Sequence, residues 1–110
     1  MGLWTNFTKP WIKREYKQKI FFMKVNYIIK RLYPGDRIKI EEKGGWQEKK
    51  TIEVIKQWEA GKNPLKFEPI RLILHTFREE FRVEDGISRL RAFRAKGIKV
   101  ICVVLRVGEW

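Results

Sequence analysis

The stretch "RVEDGISRLRAFRAKG" carries the residues of this chain whose types and spacing best suit chemistry. A strand-like segment ends at Asp85, and after Gly86 a helical pattern begins at Ile87. The first amides of a helix lack intrahelical partners, and the helix dipole attracts anions to them. Gly86 has no Cβ to keep an anion away, while Ser88 and Arg89 add a hydroxyl and a guanidinium fork. The turn from Asp85 to Arg89 is therefore predicted to bind phosphate.

Asp85 has two interpretations at this point. Its carboxylate can cap the following helix, which stabilises a helix by about 1 kcal/mol, and Asp-Gly is an ordinary turn dipeptide. A carboxylate also repels a neighbouring phosphate. A functional Asp85 would therefore face a ribose hydroxyl or hold a Mg²⁺ ion that bridges to the phosphates, which makes it the candidate metal ligand.

Hydrophobic spacing predicts the elements that position this turn. Apolar residues recur every three or four positions from about residue 10 to 33, which predicts a basic N-terminal helix that ends at Pro34 and Gly35. The later patterns predict a strand at 36–42, a helix at 48–61, hairpin strands at 69–77 and 79–85, a helix at 87–96 and a doubly covered strand at 98–107. This order indicates an α+β fold, with a small mixed β-sheet packed with helices in a single domain of residues 1–110.

The charge balance is strongly one-sided. The 110 residues include 25 basic and 13 acidic side chains, for a net charge of +12. Such a charge favours polyanionic partners, and the abundance of Lys, Glu and Ile is also typical of thermophile-like surfaces.

One cysteine, Cys102, excludes an intrachain disulfide and is predicted to be a small core residue. The chain shows no secretory signal and no apolar run long enough to span a bilayer, so a cytoplasmic location is expected.

A second basic region lies near the N-terminus, where aromatic residues alternate with lysines and arginines. Lys13, Arg14 and Lys17 are the candidate nucleic-acid contacts there, and Arg91 and Arg94 extend the positive field along the last helix. An anionic membrane surface, or a solvated face over buried aromatics, would explain the same pattern. The aromatics are expected to pack in the core. Trp46, beside Gly44 and Gly45, has two interpretations, stacking on a base or core packing, and core packing is preferred.

Two stretches resemble the ParB/sulfiredoxin superfamily. "FRVEDGISRLRAFRAKGIKVICVVL" is similar to its phosphate-loop region, in which a strand leads through a Gly-centred turn ending in Arg to a helix and an apolar strand. "KKTIEVIKQWEAGKNPLKFEPIRLIL" is similar to the helix and Pro-Ile strand that precede this region. The resemblance covers roughly residues 51–107, rests on order and spacing, and implies a ParB/sulfiredoxin-like fold.

The superfamily includes partition proteins that bind CTP and DNA, sulfiredoxins that use ATP, and an archaeal-type kinase that phosphorylates free serine with ADP. Gly86 and Arg89 match its phosphate site, and Asp85 fits the Asp-Gly form of the kinase-like branch. Ile87 stands where sulfiredoxins carry their reactive cysteine, which excludes that chemistry. Ile87 and Ser88 also replace the two histidines of the kinase-like branch and the Glu-Arg pair of the partition proteins.

The resemblance and the charge together predict a stand-alone ParB-like domain. It would bind nucleic acid, with DNA favoured, or a nucleotide such as ATP, ADP or CTP with Mg²⁺ at the turn formed by Asp85, Gly86, Ile87, Ser88 and Arg89. The alternative is a small phosphotransferase or nucleotide hydrolase of the same superfamily.

Overall fold

The computed structural model describes residues 19–61 and 69–110, which form four strands and four helices around one mixed sheet. In chain order the elements are β1 Lys19–Lys24, α1 Val25–Lys30, α2 Pro34–Glu41, α3 Trp46–Glu59, β2 Ile70–His75, β3 Phe81–Asp85, α4 Ile87–Ala95 and β4 Val100–Gly108. The predicted α+β fold class is confirmed.

The strand order is β1-β4-β2-β3, which places the last strand at the centre of the sheet. β4 pairs antiparallel with β1 and parallel with β2, and β2 and β3 form the predicted antiparallel hairpin. Leu32 forms a parallel bridge with Phe81, so the segment before α2 continues the sheet beside β3. Because α4 follows β3 in the chain, the start of α4 lies at the β3 end of this strand order.

The core lies between one face of the sheet and the helices. Alternate strand residues point into it, and the helices add further apolar side chains. The fully buried members include Ile28, Leu32, Ile40, Ile70, Leu72, Leu90, Ile101 and Val103. At about 25 cal/mol per Å² of apolar surface removed from water, this layer is the main source of stability.

The predicted helix over residues 10–33 is wrong for its described part. Residues 19–24 are strand β1, because the apolar run "IFFM" pairs with the edge of β4. Only Val25–Lys30 is helical, with Val25 and Ile28 buried three residues apart. Residues 10–18 of that prediction lie outside the described residues.

The predicted strand at 36–42 is a helix instead. Pro34 occupies the first turn of α2, where its fixed φ favours a helix start. Ile38 and Ile40 would share one face of a strand, yet Ile40 is 1% exposed and Ile38 is 70% exposed. Asp36 and Ile40, four residues apart, are both buried, which is the helical period.

The second face of the sheet carries no helix in the described part of the chain, contrary to the prediction of a doubly covered last strand. We call this surface the open face; its members include Ile20, Phe22, Arg71, Ile73, Arg82, Val100, Cys102, Val104 and Arg106. Phe22 is 79% exposed and Cys102 is partly exposed, so Cys102 is not the core residue that was expected.

The longest helix in the described ranges has 14 residues, and none there combines the length and apolarity that a bilayer crossing requires.

Candidate anion-binding site

The predicted turn joins the edge strand β3 to the first turn of α4. Gly86 is the N-terminal cap residue of α4, and its φ of 118° lies in the left-handed region that favours glycine. No side chain caps this helix start. The cap residue is thus Gly86 and not Asp85, so Asp85 does not play the capping role that was one of its two interpretations.

Asp85 and Arg89 form an ion pair across this turn. The Arg89 Nη2 lies 3.2 Å from the Asp85 Oδ2, and the side chains are 15% and 61% exposed, respectively. The pair sits at the rim of the turn, so the Arg89 guanidinium stays beside the start of α4. Any anion bound there would share Arg89 with Asp85.

A cavity of about 300 Å³ opens in front of the turn. The turn residues and the preceding Val83 and Glu84 of β3 form one wall, and residues from two other helices form the rest. These additional residues are Lys39 of α2 and Trp46, Gln47 and Lys50 of α3. Three cationic side chains from three helices, those of Lys39, Lys50 and Arg89, thus line one cavity.

Trp46 at the start of α3 is 63% exposed and lines this cavity, so the expected core packing of Trp46 is wrong. The Lys50 Nζ lies 4.9 Å from the centre of its ring, within the range of a cation–π contact. An exposed indole beside a cation provides a flat apolar surface next to a phosphate-attracting charge.

Ser88 has a different partner from the one that sequence reasoning gave it. Its Oγ donates to the Gln47 Oε1 at 3.2 Å and so links α4 to α3. The hydroxyl proton of Ser88 is used in this hydrogen bond, and both Ser88 and Gln47 belong to the cavity lining.

The two acidic residues of the cavity lining, Glu84 and Asp85, both have guanidinium partners. Glu84 accepts two hydrogen bonds from Arg106, at 3.0 and 3.1 Å, and this contact lowers the pKa of Glu84 below its ordinary value. Asp85 is held by Arg89. In the described ranges no group of three or more His, Cys, Asp or Glu side chains is arranged to hold a metal ion.

Two of the predicted nucleic-acid contacts, Arg91 and Arg94, lie on α4. Arg91 is 8% exposed, and its guanidinium donates to the carbonyls of Lys39 and Glu42 at 2.8 Å each. It is therefore a structural residue rather than a phosphate contact. Arg94 is exposed and pairs with Glu41 at 2.8 Å. Lys13, Arg14 and Lys17 lie outside the described residues.

Sequence reasoning missed Lys39, Gln47 and Lys50 as site residues. Lys39 falls in the segment that was predicted as a strand, and no local signal connects it to a turn almost fifty residues later. The one available signal was Trp46, an aromatic residue directly after two glycines.

We expect Gly86→Ala to lower the free energy of unfolding by roughly 1–3 kcal/mol, because the left-handed conformation strains any residue with a Cβ. The new Cβ would also lie 3.0 Å from the Ile70 Cγ1 and 3.2 Å from the Arg89 Nη2. Urea unfolding measures the effect. Gly97→Ala is the matched control, since Gly97 also has a positive φ but nothing lies within 4 Å of its added Cβ. Equal losses in both variants would contradict this account of Gly86.

Comparison with known proteins finds no matching family model, curated protein or solved structure. The ParB/sulfiredoxin resemblance over residues 51–107 thus remains a prediction from the residues themselves.

Proposed function

We propose that this protein binds a nucleotide in the cavity at the start of α4, with the phosphates against the turn from Asp85 to Arg89. The proposal depends on one observation: an uncapped helix start opens into a cavity of about 300 Å³ that also contains Lys39, Lys50 and Arg89. Backbone amides and cations that converge on one point are the usual donors for phosphate oxygens.

Trp46 favours a nucleotide over inorganic phosphate alone. Its exposed ring lies on the same cavity as the turn, so a base could stack on it while the phosphates reach α4. Stacking of a base on an aromatic ring contributes about 1–3 kcal/mol. The ligand class we propose is ATP, ADP or CTP, as the superfamily resemblance also implies.

Asp85 suits a Mg²⁺ ion that is held mainly by the phosphates. Mg²⁺ keeps several waters and typically takes only one or two carboxylates from a protein, and the Asp85 side chain is 61% exposed. A bound Mg²⁺ would also offset the repulsion between Asp85 and the phosphates. Binding rather than turnover is the proposed function, because the side chains of both acidic residues in the cavity lining, Glu84 and Asp85, pair with guanidinium groups.

The test is a thermal-unfolding panel of ATP, ADP, CTP and inorganic phosphate, with and without Mg²⁺. A ligand at one hundred times its dissociation constant adds about 2.7 kcal/mol of stability, which raises the unfolding temperature of a domain of this size by roughly 10 °C. Calorimetric titration then gives the affinity. Lys50→Ala and Arg89→Ala are expected to weaken nucleotide binding at least tenfold, whereas Asp85→Asn is expected to strengthen Mg²⁺-free binding.

Lys56→Ala is the matched control, because it removes one charge from an exposed position of α3 outside the cavity lining. It should leave the affinity within twofold of the parent protein. The proposal fails if no nucleotide stabilises the protein at millimolar concentration, or if Lys56→Ala weakens binding as much as Lys50→Ala.

A further inference from the structure

The open face carries aromatic rings and guanidinium groups where the β2–β3 hairpin meets the end of β4. The segment before α2 adds Tyr33, whose N–H donates to the Phe81 carbonyl at 2.9 Å. Because Leu32 points into the core, Tyr33 points to the opposite face. We call the hairpin-end cluster the group of Tyr33, His75, Arg78, Arg82 and Trp110.

Trp110 is at the centre of the hairpin-end cluster. Its ring lies 4.8 Å from the His75 ring, nearly perpendicular to it, and 5.9 Å from the Tyr33 ring. The guanidinium of Arg78 lies 5.5 Å from the Trp110 ring, and that of Arg82 lies 5.4 Å from the Tyr33 ring. Adjacent rings with a guanidinium group on either side thus form one partly exposed surface.

The backbone holds this cluster in place. The His75 Nδ1 accepts hydrogen bonds from the N–H groups of Phe77 and Arg78 at 3.1 and 3.2 Å. The Thr76 N–H donates to the Gly108 carbonyl at 2.8 Å and joins the hairpin to the end of β4. A surface ordered in this way loses little conformational entropy when a ligand stacks on it.

The charge of this surface is positive. Arg71, Arg78, Arg82 and Arg106 lie on or beside the open face, and Glu80 and Glu84 oppose them. Glu80 pairs loosely with Arg78 at 3.5 Å, and Glu84 pairs with Arg106. Guanidinium groups attract phosphates, and π faces between them attract bases.

We propose that the hairpin-end cluster is a binding site for single-stranded nucleic acid, which stacks unpaired bases on Trp110 and Tyr33 and places its phosphates against Arg78 and Arg82. None of the five cluster residues belongs to the lining of the nucleotide cavity, so this site is separate from the proposed function.

Single strands fit better than a duplex, because only unpaired bases expose faces for stacking. A second copy of the chain fits poorly, because each copy carries a net charge of +12 and the cluster itself is rich in arginine.

Fluorescence anisotropy with labelled 12-nucleotide DNA and RNA strands, and with the corresponding duplexes, tests this site. The full-length protein is expected to bind at least one of the single strands ten or more times more tightly than the corresponding duplex. The DNA and RNA arms identify which single strand is preferred. Trp110→Ala is expected to weaken binding about 5- to 150-fold, the equivalent of one lost stacking contact. Arg78→Gln is expected to reduce the slope of log affinity against log salt by about 0.7.

Glu80→Gln is the complementary variant, because it releases Arg78 without truncating the cluster, and it is expected to raise the affinity for single strands. Lys56→Ala serves as the charge-matched control and should change the affinity less than twofold. Nucleotide binding is measured on the same variants, and it should persist in Trp110→Ala, while Arg89→Ala should keep single-strand binding. The proposal is overturned if duplexes bind as tightly as single strands, if Trp110→Ala binds normally, or if sedimentation shows that this face forms a dimer instead.

Discussion

Replacing Arg91 by alanine is expected to lower the free energy of unfolding by roughly 3 kcal/mol, because charged hydrogen bonds contribute about 1.5–3 kcal/mol each and are not fully additive. The Arg91 guanidinium donates to the carbonyls of Lys39 and Glu42, which lie at the C-terminal end of α2. Such carbonyls have no partner within their own helix. Arg91 therefore joins α4 to the end of α2, and its removal leaves buried acceptors unsatisfied.

Urea unfolding at neutral pH measures this loss. Arg94→Ala is the comparison variant, since Arg94 lies one turn later on α4, is exposed, and makes only one longer hydrogen bond to an α2 carbonyl, that of Ile40 at 3.3 Å, besides its ion pair with Glu41. We expect a much smaller effect there. Arg91→Lys should not restore stability, because one ammonium group cannot reproduce the two-pronged geometry of a guanidinium. The structural role is wrong if Arg91→Ala unfolds like the parent protein and instead loses affinity for nucleic acid.

Replacing Asp36 by alanine is expected to cost roughly 1–3 kcal/mol, the penalty of a buried donor without a partner. Asp36 is 2% exposed, and its Oδ2 accepts a hydrogen bond from the Val83 N–H at 2.6 Å. This contact fixes the start of α2 to Val83 of β3, which is itself part of the cavity lining. Asp36→Asn keeps an acceptor oxygen and should lose less stability than Asp36→Ala.

The pH dependence of stability provides an independent test of Asp36. Burial raises the pKa of Asp36 above its ordinary value, although the Val83 N–H and the charges of Lys39 and Arg82 oppose the rise. Between the unfolded and the folded pKa, the folded protein holds a proton that the unfolded chain has released. The contribution of Asp36 to stability therefore decreases as the pH rises through this window and stays low above it.

Asp36→Asn removes this titration. The difference in unfolding free energy between the parent protein and Asp36→Asn should consequently fall as the pH is raised from about 3.5 through the acid range. Denaturant unfolding at a series of pH values measures it. A difference that is constant with pH, or that grows as the pH rises, would contradict the raised pKa.

Regular hydrophobic periods predicted most of the fold. α3, α4, β2, β3 and β4 all lie where the sequence pattern places them, because each presents a clear helical or alternating set of apolar residues. The errors fall in short segments whose patterns of apolar residues fit both a helix and a strand. The run before Val25 forms strand β1 because it pairs with β4. Residues 34–41 form α2 because Asp36 and Ile40, on one face of that helix, are both buried in the core.

The residues of the candidate site likewise fall into two groups, those that the sequence predicted and those that it did not. Gly86 and Arg89 could be predicted, because a glycine between a strand and a helix and an arginine one turn later are local features. Lys39, Trp46 and Lys50 reach the same cavity only because α2 and α3 pack beside the start of α4. Arg91 and Arg89 look alike in the sequence, yet one is enclosed between two helices and the other lines the cavity.

The sequence by itself determined the α+β class, the positive charge and the glycine turn before α4, since composition and short-range periodicity are properties of the chain alone. Only the tertiary structure decided which cations share a cavity, which arginine is buried and which sheet face carries the helices of the described ranges. These outcomes depend on contacts between residues far apart in the chain, where packing and the desolvation of polar groups outweigh local preference.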